Sequence, residues 1–327
     1  MIVAVDALGG DDAPAAIVAG AVHAAEHLGV GILLVGSTDR IQAELESHPN
    51  SRRLPISIID ATDVVGMHEP PLASLRRKPR ASVKVAAEAV GRGQAQALFS
   101  AGHTGATLLA AHAVFGPLQG AERPALAVTI PTRTGRAVLL DAGANADCRA
   151  DHLVQFGLMG AAYARVDLQL TDPRVGLLSI GEEAGKGNEL IREAHAGLAG
   201  AKLTFIGNLE ARELFAGRAD VIVCDGFTGN IALKVGEGLV EAIEGMLREA
   251  FSEPDGDVQA LSGAAFDRFR RRVDYAEYGG APLLGVRAVT VVAHGRSSAR
   301  AVESGIGMAA RLVEERVVER LGEVLRS

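Results

Sequence analysis

Four stretches of this chain place small residues and chemically capable side chains directly after an apolar run. The first is Asp6-Ala7-Leu8-Gly9-Gly10-Asp11. Gly9 and Gly10 let backbone N–H groups approach a ligand closely, with Asp6 at the end of the run. The plain alternative is a tight turn in which Asp11 or Asp12 caps the next helix. The second is Ser100-Ala101-Gly102-His103-Thr104-Gly105-Ala106. Free N–H groups at a helix start bind anions, so this turn suits phosphate. It is not the G-x-S-x-G nucleophile elbow, because Ser100 lacks the preceding Gly and no Asp/His partner is identifiable. It does not fit the G-x-x-x-x-G-K-[ST] loop either. The alternative is a capped βα turn, with His103 an ordinary turn residue.

The third stretch is Gly181-Glu182-Glu183-Ala184-Gly185-Lys186-Gly187-Asn188. A lysine between two glycines can reach an anion while the glycines clear space around it. A Glu/Lys/Gly run is otherwise a solvated loop, and its position after a strand favours function. The fourth is Cys224-Asp225-Gly226-Phe227-Thr228-Gly229-Asn230, with Asp225 at a strand end and Thr228 or Asn230 at the next helix start. In open α/β sheets, ligands gather beyond the carboxyl ends of the strands. The four turns are therefore expected along one edge of a single sheet.

The elements that must position these turns alternate in type. Apolar runs at 2–5, 32–35, 56–59, 97–99, 175–180, 203–206 and 221–224 predict strands buried on both faces. Ala-rich stretches at 14–28, from about 38, and at 82–91 predict helices. The runs at 126–130 and 137–140 are close enough for a hairpin. Strand–helix alternation implies a largely parallel sheet with right-handed crossovers. The length of 327 residues suits one unit over 1–327, or two lobes with a hinge near the Gly-rich turns at 100–105 and 141–147. The connector at 252–257 interrupts two helical patterns rather than separating domains.

Composition excludes several classes. With 48 % hydrophobic and 22 % charged residues, a large core is available and global disorder is excluded. A net charge of −7 repels phosphodiesters and argues against a nucleic-acid partner. Two cysteines, Cys148 and Cys224, make neither a disulfide scaffold nor a cysteine-rich zinc site, and a reducing cytosol is the expected compartment. No run of about 18 apolar residues predicts a membrane span. The first residues read as a buried strand, not a signal peptide. Two stretches are basic: Arg76, Arg77, Lys78 and Arg80, and Arg268, Arg270, Arg271 and Arg272. Each is a solvated face or a dock for an acidic partner, and the second also suits an anionic membrane surface.

With these turns in view, the chain resembles the phosphate acyltransferase PlsX family. The resemblance lies in residues 3–11, 100–106, 140–147, 181–188, 206–210, 224–230 and 278–285, and in His294-Gly295, in family order over nearly the whole chain. It implies transfer of a fatty acyl group from acyl-[acyl-carrier-protein] to inorganic phosphate, giving acyl phosphate for phospholipid synthesis. It implies a Rossmann-like α/β/α fold similar to isopropylmalate dehydrogenase and phosphotransacetylase. It further implies a homodimer, a cytoplasmic enzyme peripherally associated with the membrane, and a membrane glycerol-3-phosphate acyltransferase (PlsY) as downstream partner. Two positions depart from the family pattern: His103 stands where Asn is usual, and His294-Gly295 continues as Arg296-Ser297-Ser298 rather than Ser-Ser-Asn.

That chemistry needs little machinery. Phosphate is an anionic nucleophile near neutral pH, and a thiol of pKa about 8.5 leaves readily, so no metal and no cofactor is expected. What remains is holding two partners in line and stabilising an oxyanion. Gly-rich turns, helix starts and one lysine suit that task, so Lys186 is expected at phosphate or oxyanion, Asn230 and Thr228 at oxyanion or phosphate, and the backbone from Ser100 to Thr104 at phosphate. Asp225 joins Lys186 and Asn230 as the expected catalytic set. Asp6, Gly9, Gly10, Arg76, Gly102, His103, Gly105 and Gly229 complete the expected substrate site. Arg268, Arg271 and Arg272 are the expected carrier-protein or membrane patch. The rival readings are an NAD-dependent decarboxylating dehydrogenase of related fold and a non-catalytic membrane-associated scaffold. Against the dehydrogenase, no G-x-G-x-x-G follows the first strand.

Overall fold

The computed structural model describes residues 1–250, Phe269 and 279–326. Arg268, Arg271 and Arg272 lie outside the described residues, as does the 252–257 connector. Two sheets carry the fold. In the first, β1 (Ile2–Asp6), β2 (Gly31–Gly36), β3 (Ile56–Asp60), β4 (Ala97–Ser100) and β12 (Val289–Val292) run parallel in the order β3-β2-β1-β4-β12. Then β11 (Ala281–Leu284) and β5 (Ala125–Leu126) extend it antiparallel. In the second, β7 (Gly135–Leu140), β10 (Val221–Val223), β8 (Arg174–Ser179) and β9 (Thr204–Glu210) are parallel, and β6 (Val128–Thr132) forms a hairpin with β7.

The α/β class, the mainly parallel pairing and the hairpin agree with expectation. The single sheet does not. The turns after β1 and β4 belong to the first sheet, and those after β8 and β10 to the second. The run at 126–130 divides at Ala127, so that Leu126 ends one sheet and Val128 begins the other. An apolar run records burial, which is the same in either sheet. Partner choice comes from distant strands, as in the pairing of Ala97 with Val289.

Side chains alternate across β1 and build layers. Val3 and Val5 face a cluster shared with α1 (Ala15–Leu28) and α9 (Ala299–Glu314). Ala4 faces another with α4 (Ser82–Gly91) and α5 (Thr104–Phe115). Each fully buried Val, Leu or Ile contributes about 1.5–3 kcal/mol by leaving water. The helix α2 (Thr38–Glu46) follows β2, and α3 (Pro71–Arg77) packs on α5. On the second sheet, α6 (Ala150–Asp167) covers one face with α7 (Glu189–Gly200) and α10 (Val317–Arg326) against it. The start of α8 (Gly226–Ala250) covers the other through Ala232 and Leu233. At about 1.5 Å per residue this helix is about 37 Å long. Along its length Ile231, Val235, Leu239 and Met246 stand exposed.

Candidate active site

The turns of the first sheet interlock through their backbones. Ser100 Oγ donates to Asp6 Oδ2 at 2.8 Å, and Gly102 N donates to Ser100 Oγ at 3.1 Å. A Cβ at Gly9 would lie 2.5 Å from Asp6 Oδ2 and 2.8 Å from Gly102 Cα, so only glycine lets these two turns meet. Asp11 N donates to Gly295 O at 2.8 Å, bringing in the turn after β12. Asp6 is buried, and burial pushes its carboxyl above the ordinary carboxylate value. Asp6, Ser100, Gly9 and Gly102 therefore build the turn instead of lining the opening. Within the Ser100–Thr104 backbone, the N–H of Gly102 is held internally by Ser100.

What this scaffold presents is the start of α5. His103 is its N-cap, and His103 Nδ1 accepts from Ala106 N at 3.4 Å. A side-chain acceptor is what the cap position demands, and asparagine supplies the same one. The N–H groups of Thr104 and Gly105 have no partner among the described residues. They carry the positive end of the helix dipole.

The second sheet is tied down by one carboxylate. Asp141, at the end of β7, accepts from Leu126 N, Gly143 N and Ala144 N through Oδ1, and from Asn145 N and Nδ2 through Oδ2. Burial pushes its carboxyl up, and these donors oppose the shift. Gly226 and Gly229 press the first turn of α8 against this loop, and Gly226 N donates to Asn145 O at 2.8 Å. Asp225 receives both Thr228 N (2.8 Å) and Thr228 Oγ1 (2.9 Å), which makes it the cap of α8. Asn230 follows one turn later, exposed, beside Gly143. Burial raises Cys224 well above its ordinary value and Cys148 to about 11, so neither is a thiolate at neutral pH.

A cleft of about 640 Å³ lies between the two sets of turns. Of the expected site residues it brings together Thr104, Gly105 and Asn230. Asp11, Thr129, Lys234 and His294 also line it and were not expected. Lys234 sits one helical turn beyond Asn230 and pairs with Glu237 at 2.9 Å. Its spacing from Asn230 was the available signal. Lys186 is placed apart, exposed on the loop after β8 and outside the lining. In the first basic stretch, Lys78 binds Glu69 and Val64 O, and Arg80 binds Asp60. Lys78 and Ser74 hold the Glu69 carboxyl down at about 2. Arg76 and Arg77 remain exposed in the last turn of α3, whose Pro71 lines the cleft.

The family described as fatty acid synthesis protein matches residues 1–320. A phosphate acyltransferase of Trichlorobacter lovleyi is 47% identical over 99% of this chain and 94% of its own length. One from Nitratidesulfovibrio vulgaris is 46% identical with the same coverage. Among solved structures, a phosphotransacetylase from Streptococcus pyogenes aligns with a TM-score of 0.65 at 19% identity, over 96% of this chain and 94% of that one. A branched-chain phosphotransacylase from Enterococcus faecalis gives 0.56 at 16% identity, over 96% and 100%. These two likenesses concern the fold.

Proposed function

The chain belongs to the fatty acid synthesis protein family and is an enzyme that transfers acyl groups to phosphate, and we propose that its donor is a fatty acyl thioester on acyl-carrier protein. The reaction is assigned to the cleft between the sheets. One observation carries this: the open N–H groups of Thr104 and Gly105 and the amide of Asn230 line the same space. Phosphate rests on the start of α5, where dipole and N–H groups favour an anion. One of its oxygens attacks the thioester carbonyl carbon. The resulting oxyanion is met by the Asn230 amide, and the C–S bond breaks to release the carrier thiolate, which takes a proton from solvent. Preorganised donors of this kind act where charge develops. Asp225 and Thr228 hold the first turn of α8 so that Asn230 keeps its place. Lys186 serves phosphate or oxyanion when the loop after β8 closes over the cleft.

The remaining readings follow the same line. Residues 1–327 act as one acyltransferase unit with a lobe for each sheet. The exposed apolar residues of α8 suit a homodimer contact, since such a stripe is rarely left in water. Arg76 and Arg77 suit the acidic carrier protein, whose approach to a chain of net charge −7 needs a local positive field. The enzyme works in the cytoplasm against the membrane surface and hands acyl phosphate to a membrane glycerol-3-phosphate acyltransferase. No helix among the described residues is long and apolar enough to cross a membrane. The test is acyl phosphate formation from inorganic phosphate with acyl-carrier protein or acyl-CoA as donor. Preference for the carrier protein is expected. Equal or better use of acyl-CoA overturns the donor, and no acyl phosphate from either overturns the reaction.

A further inference from the structure

The cleft does not end at Asn230. A groove of about 570 Å³ continues from it along α8, and the two share Val128, Thr129, Leu233, Lys234, Glu237 and His294. Its lining combines apolar side chains with Lys234, Glu237, His294 and Arg296. Ile130, Leu139 and Leu214 form a buried apolar floor, while Phe215 and Val240 stand at the sides. Phe215 is 39% exposed, a large ring left facing water. From Asn230 to Val240 the helix rises about 15 Å. The acyl chains of one bilayer leaflet span about 15 Å, half of a hydrocarbon core about 30 Å thick. Beyond Val240 the lining residues of α8 are Glu241 and Glu244, which with Glu237 make the far rim of the groove acidic.

We propose that this groove holds the fatty acyl chain of the donor, with its carbonyl at Asn230 and its methyl end toward Val240, and that Gly236 and Phe215 set the chain length accepted. The proposal rests on the acyl-transfer reading above and adds the position of the chain. Its direction follows from chemistry. The carbonyl must meet phosphate at the start of α5, and the groove is the apolar cover that continues from that point along α8. Gly236 is the critical lining position. A Cβ there would lie 3.0 Å from the Cζ of Phe215, so the ring tip rests on bare helix backbone. Any larger side chain fills the groove about 9 Å from Asn230.

The experiment compares hexadecanoyl and octanoyl donors in wild type, Gly236→Leu and Val240→Gln. Each buried CH₂ is worth about 0.8 kcal/mol, or about fourfold. In Gly236→Leu the ratio of kcat/KM on hexadecanoyl to that on octanoyl donor is expected to fall at least about thirtyfold. In Val240→Gln, at the methyl end, the same ratio is expected to fall about tenfold. A second readout needs no catalysis: titration with a fluorescent sixteen-carbon fatty acid, whose binding should weaken at least about tenfold in Gly236→Leu. If wild type makes no acyl phosphate yet binds the fatty acid and Gly236→Leu does not, the reaction reading falls and the groove stands. If both folded variants keep the wild-type chain-length ratio and bind the fatty acid as wild type does, the groove proposal is overturned. Loss of folding in Gly236→Leu leaves the decision to Val240→Gln, read the same way.

Discussion

The turn after β4 and the loop after β8 read alike in sequence. Each follows an apolar strand, holds small residues around one basic side chain, and opens a helix. Folded, they are opposites. Ser100, Ala101 and Gly102 are buried among the turns after β1 and β12, while residues 182–186 are all exposed. A Cβ at Gly102 would lie 3.1 Å from Gly9 Cα, yet a Cβ at Gly185 would meet nothing within 4 Å. The difference lies in the neighbours. β4 sits in the middle of its sheet between β1 and β12, with a turn crowding it on each side, whereas β9, the strand beyond β8, is an edge strand. A glycine-rich turn is buried where the turns of neighbouring strands close on it, as those after β1 and β12 close on residues 100–102.

This contrast can be broken most sharply at glycine. Gly9→Ala forces a Cβ into Asp6 and Gly102 and should cost about 3 kcal/mol, with loss of acyl phosphate formation. Gly185→Ala should change stability by no more than about 0.5 kcal/mol. Urea midpoints compare the two directly, and equal effects would erase the distinction. Next comes Lys186→Ala. If the exposed loop closes over the reacting groups, turnover should fall at least about a hundredfold with stability unchanged. A loss below about threefold in the folded protein would leave Lys186 a loop charge.

A third test uses pH. Burial raises the Asp6 carboxyl above 3.8, so the folded state favours its protonated form. That contribution is complete below the unfolded value and fades as pH rises through the raised folded one. Asp6→Asn, which cannot ionise, should therefore gain stability relative to wild type from about pH 4 toward neutrality. A flat difference across that range would contradict the raised value. The smallest effect is expected at the cap of α5. His103→Ala should lose about 1 kcal/mol and His103→Asn about 0.5 kcal/mol or less, with activity retained in the asparagine variant. Thermal melts and the acyl phosphate assay measure both. Inactivity of His103→Asn would show that the imidazole does more than cap.

Local features were legible in the sequence because they are decided locally. The helix at 82–91 and the strand at 97–99 emerged within a residue of their observed ends, since periodicity and burial act over a few positions. The division into two sheets was not legible. Leu126 and Val128 are equally apolar, and their separate allegiance depends on β11 and β7, which lie far along the chain or across a turn. The site was half legible. Thr104, Gly105 and Asn230 were named from turn chemistry, while Lys234 was hidden inside a helix. Asp141 lay within a matched segment, but its role as a hub depends on Leu126 N, which only the fold brings near.

The order in which strands are used has a consequence for how the enzyme is born. The second sheet is built from a continuous stretch, β6 to β10, whose partners emerge close together. The first sheet cannot close until β12 inserts beside β4, and β12 is the last strand of the chain. Loop closure over so long a separation is slow, so during synthesis the first sheet waits with an open flank while the second can form. Gly295, which receives the N–H of Asp11, arrives later still. The backbone bond that ties the turn after β1 to the turn after β12 is thus the last of these contacts to become available during synthesis.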